Sequence, residues 1–452
     1  MRQLVELGEL APHTRLPSER TLAAALVISR TTVVSAYELL HGEGLLSSKP
    51  GSGHTIVHGE SRWHTGVTST AAFPWQHRLA STESAVRFPP GVVDLSAIVI
   101  SASPVLSAVL STLTAEDWSA VTEEPRYLPL GWPRLRQAVA DECSRRGLAT
   151  TEGQILITSG AQQGLSLVAA ALLEPGDLVV VEDPLYPGQL PVLRAAGARL
   201  QTVPVYPDGL DTEALVSTVK RENPRLVLVS PTHQNPTGTL LGADGRARIA
   251  DLAGTTPALV VELYASADLS LNAYPVPAPL AATGSADSMV VIGSLSSLVW
   301  SGLRIGWIRA ADHVIASLGQ AKAIADLGTS LLPQLVATRL LERFPELAKH
   351  RNQELAARCG QAMGLFEELL PDFDVRRPSG GACLWVGIPA GDAAEFAHVA
   401  LRHGVATLPG PLCSARGGHR DRIRMAFTSD PTSLLVGIER LAFAWTDYRR
   451  HT

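Results

Sequence analysis

Lysine is nearly missing from this chain. It stands only at Lys49, Lys220, Lys322 and Lys349 among 452 residues, and arginine supplies the rest of the positive charge. Chemistry that needs a nucleophilic amine must therefore draw on one of four positions. Cysteine is as scarce: Cys143, Cys359, Cys383 and Cys413 are scattered, without CxxC or Cys/His spacing. That pattern argues against a zinc site or a disulfide framework and for reduced, structural thiols, so no metal is expected. Aromatic residues are only 5% of the chain, so much of its 46% hydrophobic content is Ala, Leu and Val. No run of about 18 apolar residues occurs and the start does not read as a signal peptide, so no membrane partner and a cytoplasmic location are expected. A net charge of −5 excludes a globally basic nucleic-acid coat but leaves room for a local DNA-reading module.

What is present falls into three textures. Residues 1–58 are short helical patterns ending in a Gly/Ser-rich turn. Residues 59–90 lack sustained periodicity and read as a linker. From residue 91 to 452, apolar β-branched runs ("QILIT", "LVVVE", "RLVLVS", "ALVVE", "MVVIG") alternate with Ala/Leu-rich helical segments. Strands buried on both faces look like this, which predicts an α/β domain with a mainly parallel sheet. Its large part spans about 91–330 and a smaller C-terminal α/β part about 331–452.

In the first segment, Ser18 is placed to cap a helix running to about Leu26, and Ser29 to cap a second running to about Glu43. The short gap between them predicts a helix-turn-helix, with Ala23, Leu26, Val33, Tyr37 and Leu40 spaced to pack one helix on the other. Arg30, Thr31 and Thr32 are then left at the front of the second helix, where a recognition helix meets base edges and phosphates. "LLSSKPGSGHTIV" reads as a hairpin wing, with Gly51 and Gly53 in its turn and Lys49 beside it. The strings "LPSER", "SRTTV" and "GSG" resemble the winged helix-turn-helix of the GntR regulators over about forty residues. That resemblance implies double-stranded operator DNA as partner, with contacts from Arg20, Ser29, Arg30, Thr31 and Thr32 and from the wing. Val27 stands where that family has glycine, and the chain begins inside the family's first helix. Charges balance over 1–58: Arg2, Arg15, Arg20, Arg30 and Lys49 against Glu6, Glu9, Glu19, Glu38 and Glu43. Non-specific affinity should therefore be weak, and binding should depend on a dimer and a specific site.

In the large segment, "YLPLGWPRLRQAVADECSRRG", "ILITSGAQQG", "EDPLYPG", "SPTHQNPTG" and "GSLSSLVWSGLRIGW" follow one another. Together they resemble fold-type I pyridoxal-phosphate enzymes of the aspartate aminotransferase architecture, and the whole chain resembles a MocR-type regulator. The resemblance implies a homodimer and a cofactor cradle. Gly160, Ala161 and Gln162 sit at a strand-to-helix turn whose free N–H groups suit a phosphate. Ser294, Ser296 and Arg304 match further phosphate ligands, Tyr186 the ring-stacking aromatic, and Asn235 the partner of the ring's phenolic oxygen. Arg424 matches the arginine that grips an amino-acid carboxylate.

One group fails to match. Where the family has Ser-x-Ser-Lys, this sequence has Ser294-Leu295-Ser296-Ser297, so Ser297 falls on the lysine that forms the Schiff base. A serine hydroxyl forms no stable imine and is a poor base at neutral pH. The aspartate that faces the ring nitrogen aligns with Leu263, or with Glu262 if the match shifts by one. The expectation is a regulator with a catalytically degenerate aminotransferase-like domain. Its effector would be pyridoxal 5'-phosphate held without a covalent bond, an amino acid or other carboxylate at Arg424, or nothing. The alternative is a pyridoxal-phosphate enzyme that uses a non-standard base.

Overall fold

A computed structural model describes residues 16–26, 29–42, 46–49, 53–56, 88, 91–124, 126–272 and 275–450. The chain divides into two units, Met1–Arg87 and Phe88–Thr452. In the first, helices Glu19–Leu26 and Arg30–Gly42 are followed by a hairpin of Leu46–Lys49 and Gly53–Ile56, in register Leu46↔Ile56 to Lys49↔Gly53. The hydroxyl of Ser18 accepts from Thr21 N at 3.2 Å and that of Ser29 from Thr32 N at 3.1 Å, so both serines cap as their positions foretold. Leu16, Ala23, Val33, Tyr37, Leu40 and Leu46 form the core of this unit. Val27 and Gly51 lie outside the described residues.

The second unit is built on an eight-stranded sheet. Its spatial order is Ile155–Thr158, Gly306–Arg309, Met289–Ser294, Leu259–Leu263, Leu226–Val229, Leu178–Asp183, Arg199–Tyr206 and Gly209–Leu210. The five strands from Met289–Ser294 through Arg199–Tyr206 run parallel. Gly306–Arg309 runs antiparallel to both neighbours, and the edge strand Gly209–Leu210 is antiparallel too. The sheet is therefore mixed around a parallel centre. Its inner strands are Val/Ile/Leu runs because helices cover both faces and two separate apolar clusters form there. The smaller part carries the antiparallel sheet Asp374–Val375, Cys383–Gly387, Arg422–Ala426, Leu408–Pro409. Phe373, Phe396, Trp445 and Tyr448 pack beneath it at ring separations of 5.0–6.0 Å.

Candidate functional site

Strand Ile155–Thr158 ends at a turn that opens helix Ala161–Leu172. The residue before that helix, Gly160, has φ 118 and ψ 169, a region that only glycine occupies easily, and it brings no capping side chain. The first-turn N–H groups are thus left to a ligand or to water. A Cβ on Gly160 would lie 3.0 Å from Nη2 of Arg304, and one on Gly306 would lie 2.7 Å from the Gly160 backbone. Arg304 itself turns through the left-handed region (φ 55) between buried Leu303 and Ile305, which sets its guanidinium beside Gly160. Ser294 ends the strand before this turn, and its hydroxyl accepts from Ser296 N at 3.1 Å. The buried hydroxyl of Ser296 has no partner among the described residues. Helix N-terminus, guanidinium and two hydroxyls make a fitting cradle for a phosphate.

This cradle is one end of a cavity of about 260 Å³. Ala161, Gln162, Tyr186, Asn235, Ser294, Ser296 and Arg304 line it, as does Ser297; Gly160 stands just behind Arg304. Gln162 is steadied by donating to the Gly188 carbonyl at 2.8 Å. The Ser297 hydroxyl donates to the Ala265 carbonyl at 2.5 Å. None of Lys220, Lys322 and Lys349 lines the cavity. Lys322 is fully buried on helix Asp312–Asp326 and its Nζ is bound to Asp326 at 2.6 Å. Burial holds its amine below the usual lysine range, against the pull of Asp326.

Arg424 sits on the sheet of the smaller part, nearly fully buried, just off the cavity. Its Nη1 donates to Asn235 Oδ1 at 3.2 Å and its Nη2 to the Ser96 carbonyl at 2.8 Å, while its Nε has no partner among the described residues. Cys383, which lines the cavity, is pushed up to about 11 by burial, with Arg424 opposing.

The expectation for Glu262 needs correcting. In register with Met289–Ser294, Leu263 pairs Ile292 and Glu262 pairs Val291. Alternation along the strand therefore sends the two side chains to opposite faces. Leu263 lines the cavity, whereas Glu262 is buried behind it, accepting from Leu280 N at 2.7 Å with Arg246 at 3.9 Å. Several lining residues carried no signal in the sequence. Ile98 and Ile100 arrive from the start of the unit, tied to the serine-rich turn by Ile100 N donating to the Ser301 hydroxyl at 2.8 Å. The pair Gly380-Gly381 was a readable hint, since a Cβ on Gly380 would strike the His233 ring at 2.3 Å. Gln234 lines the cavity while donating to buried Glu182 at 3.1 Å.

In the first unit, Arg20, Ser29, Arg30, Thr31 and Thr32 are all exposed. The Ser29 hydroxyl lies 2.7 Å from both threonine hydroxyls. Arg30 is bound through Nε and Nη2 to Glu19. Lys49 closes one hairpin strand and Gly53 opens the other.

A helix-turn-helix head with a two-stranded wing, joined to an aminotransferase body, defines a class of gene regulator. Comparison with known proteins agrees: residues 1–56 match the bacterial regulatory proteins of the gntR family, and residues 106–441 match aminotransferase class I and II. This chain belongs to the GntR-family transcription regulators that carry an aminotransferase-fold domain. It is 32% identical to the pyridoxine biosynthesis transcriptional regulator PdxR of Corynebacterium glutamicum, over 84% of this chain and 80% of that protein. The HTH-type transcriptional regulator YisV of Bacillus subtilis is 28% identical over 95% and 90%. Among solved structures, the α-aminoadipate aminotransferase LysN of Thermus thermophilus, complexed with N-(5'-phosphopyridoxyl)-L-leucine, aligns with a TM-score of 0.73 at 28% identity. It covers 82% of this chain and 96% of its own.

Proposed function

We propose that this chain is a homodimeric, operator-binding regulator whose aminotransferase-fold domain senses a ligand without doing transamination. The observation that carries the reading is Ser297 in the cavity wall, its hydroxyl held by a backbone carbonyl, where the family pattern has lysine. Lys322, on the helix Asp312–Asp326 that follows this turn in the chain, is committed to Asp326. The phosphate end of pyridoxal phosphate fits the cradle of Ala161, Ser294, Ser296 and Arg304. The rest of the site fits it less well: Leu263 faces in where a carboxylate would balance a protonated ring nitrogen, and among the described residues no lysine lines the wall. When bound with a lysine, that cofactor supplies an electron sink for amino-acid chemistry. Here Tyr186 and Asn235 would orient the ring, and Arg304 would hold its phosphate. Arg424 lies beside Asn235 as the seat for a ligand carboxylate.

The test is borohydride reduction of the protein after mixing with pyridoxal phosphate, read by intact mass. The wild type is expected to bind the cofactor reversibly by calorimetry and to show no added mass at the cavity. The Ser297→Lys variant is expected to trap it covalently. A covalent adduct on Lys322 in the wild type would overturn the reading, as would turnover of an amino acid.

A further inference from the structure

We infer that Glu19 is a positioning residue for base reading by Arg30. This rests on the head acting as a DNA-binding module. Glu19 Oε2 accepts from Arg30 Nε at 3.2 Å and from Nη2 at 3.0 Å. Its other oxygen lies 3.8 Å from Nε2 of His54 in the second wing strand. The His54 ring is 4.6 Å from that of Tyr37 on the second helix, and the Tyr37 hydroxyl donates to the Pro17 carbonyl at 2.9 Å. The His54 carbonyl accepts from Leu16 N at 2.9 Å. One carboxylate thus stands where the first helix, the second helix and the wing converge. Its side chain is 26% exposed, against 67% for Arg30.

Guanidinium chemistry gives this contact a consequence. Arginine has five N–H donors arranged as forks, and the fork made by Nε and Nη2 is occupied by Glu19. The outer fork, made by Nη1 and the second Nη2 hydrogen, is left free by Glu19 and can pair with O6 and N7 of guanine. An arginine this exposed would otherwise sample many rotamers and lose that freedom on binding. Anchoring one edge removes the loss beforehand. The same carboxylate repels phosphates, so it lowers affinity for any sequence while sharpening the choice among sequences. The balance of five basic and five acidic residues over 1–58 gives that repulsion little to hide behind.

The experiment uses the full chain. A random duplex pool is selected against the wild type, and the enriched duplex and a scrambled one are then titrated across a salt series. Glu19→Gln, Glu19→Asp, Arg30→Ala and the Glu19→Gln/Arg30→Ala double variant are compared, with thermal melts as a folding control. Glu19→Gln is expected to bind the scrambled duplex more tightly and to lose discrimination on the order of tenfold. The loss should fall at the base pair that Arg30→Ala also stops reading, and the double variant should be no worse than Arg30→Ala. Glu19→Asp, which keeps the charge but not the reach, should lose discrimination without gaining scrambled binding. Unchanged base preferences in Glu19→Gln overturn the inference, as do additive effects in the double variant or equal losses on both duplexes. If the wild type enriches no sequence, the DNA-reading function itself fails. Enrichment by the wild type with unaltered preferences in Glu19→Gln removes only the role of Glu19.

Discussion

Glu182 and Glu262 are carboxyls that the fold shuts away from water, and burial pushes each up to about 7. Glu182 is partly compensated by Ser230 N at 2.8 Å and Gln234 at 3.1 Å, and Glu262 by Arg246 and Leu280 N. The unfolded chain releases these protons at the ordinary carboxylate pH, whereas the folded chain keeps them until near neutrality. Stability from this source is therefore greatest below that ordinary value and declines as pH rises towards about 7. Each group, once ionised, costs roughly 3 kcal/mol. Glu262→Gln is the cleaner probe, because Oε1 of Glu262 has no hydrogen-bond partner among the described residues. Urea unfolding of this variant should show a gain on the order of 1–3 kcal/mol at pH 8 and little change at pH 4. The same pH slope in variant and wild type would refute the assignment. Glu262 also shows where the sequence stopped being legible. Period-two alternation makes a one-residue shift a change of face, and only the pairing Leu263↔Ile292 decides which residue meets the cavity.

At the scale of elements, the parallel strands and both helices of the head were legible because each carries a local pattern: a β-branched run or a capping serine. The antiparallel return of Gly306–Arg309 was not, since its reason is the close approach of its backbone to Gly160, a contact across about 150 residues. For the same reason Ile98 and Ile100 were invisible as cavity wall. The turn at Gly160 is the element most exposed to a single change. Gly160→Ala forces an L-residue into a conformation that costs about 1–3 kcal/mol. Its methyl would also crowd the Arg304 guanidinium, 3.0 Å from the Cβ position. The expected outcome is a lowered melting temperature together with loss of phosphate-dependent stabilisation. Adding inorganic phosphate or pyridoxal phosphate to both proteins in a melting series checks it. Equal ligand-induced shifts in the two would mean the cradle does not hold the phosphate.

For the whole molecule, residues 95–100 tie the smaller sheet of the second unit to the cavity. Leu95 N donates to the Ala406 carbonyl and Ala426 N to the Leu95 carbonyl, Ser96 is held by Arg424, and Ile98 and Ile100 form cavity wall. In the proposed function, a ligand carboxylate drawing on Arg424 would compete with the Ser96 carbonyl for that guanidinium. The operator reading proposed above also requires two heads, and so a pairing face on the body. Tyr127 and Ile324 are 77% and 88% exposed, with Leu327 and Leu332 nearby in the chain fold, where Gly328 rests on the Leu128 carbonyl. Exposed apolar side chains on neighbouring stretches of chain are where such a face is to be sought, and a two-fold axis lets one patch meet its own copy. Placing charge there should be costly to association and cheap to folding, because Ile324 is almost wholly exposed and Leu327 about half exposed in the single chain. The Ile324→Glu/Leu327→Glu double variant is expected to sediment at half the mass of the wild type at micromolar concentration, with its melt intact. Its affinity for an operator with two half-sites should fall steeply, while binding to a single half-site stays close to that of the wild type. A variant that still sediments as a dimer would move the pairing surface elsewhere on the body. A wild type that sediments as a single chain would remove the dimer from the proposed function.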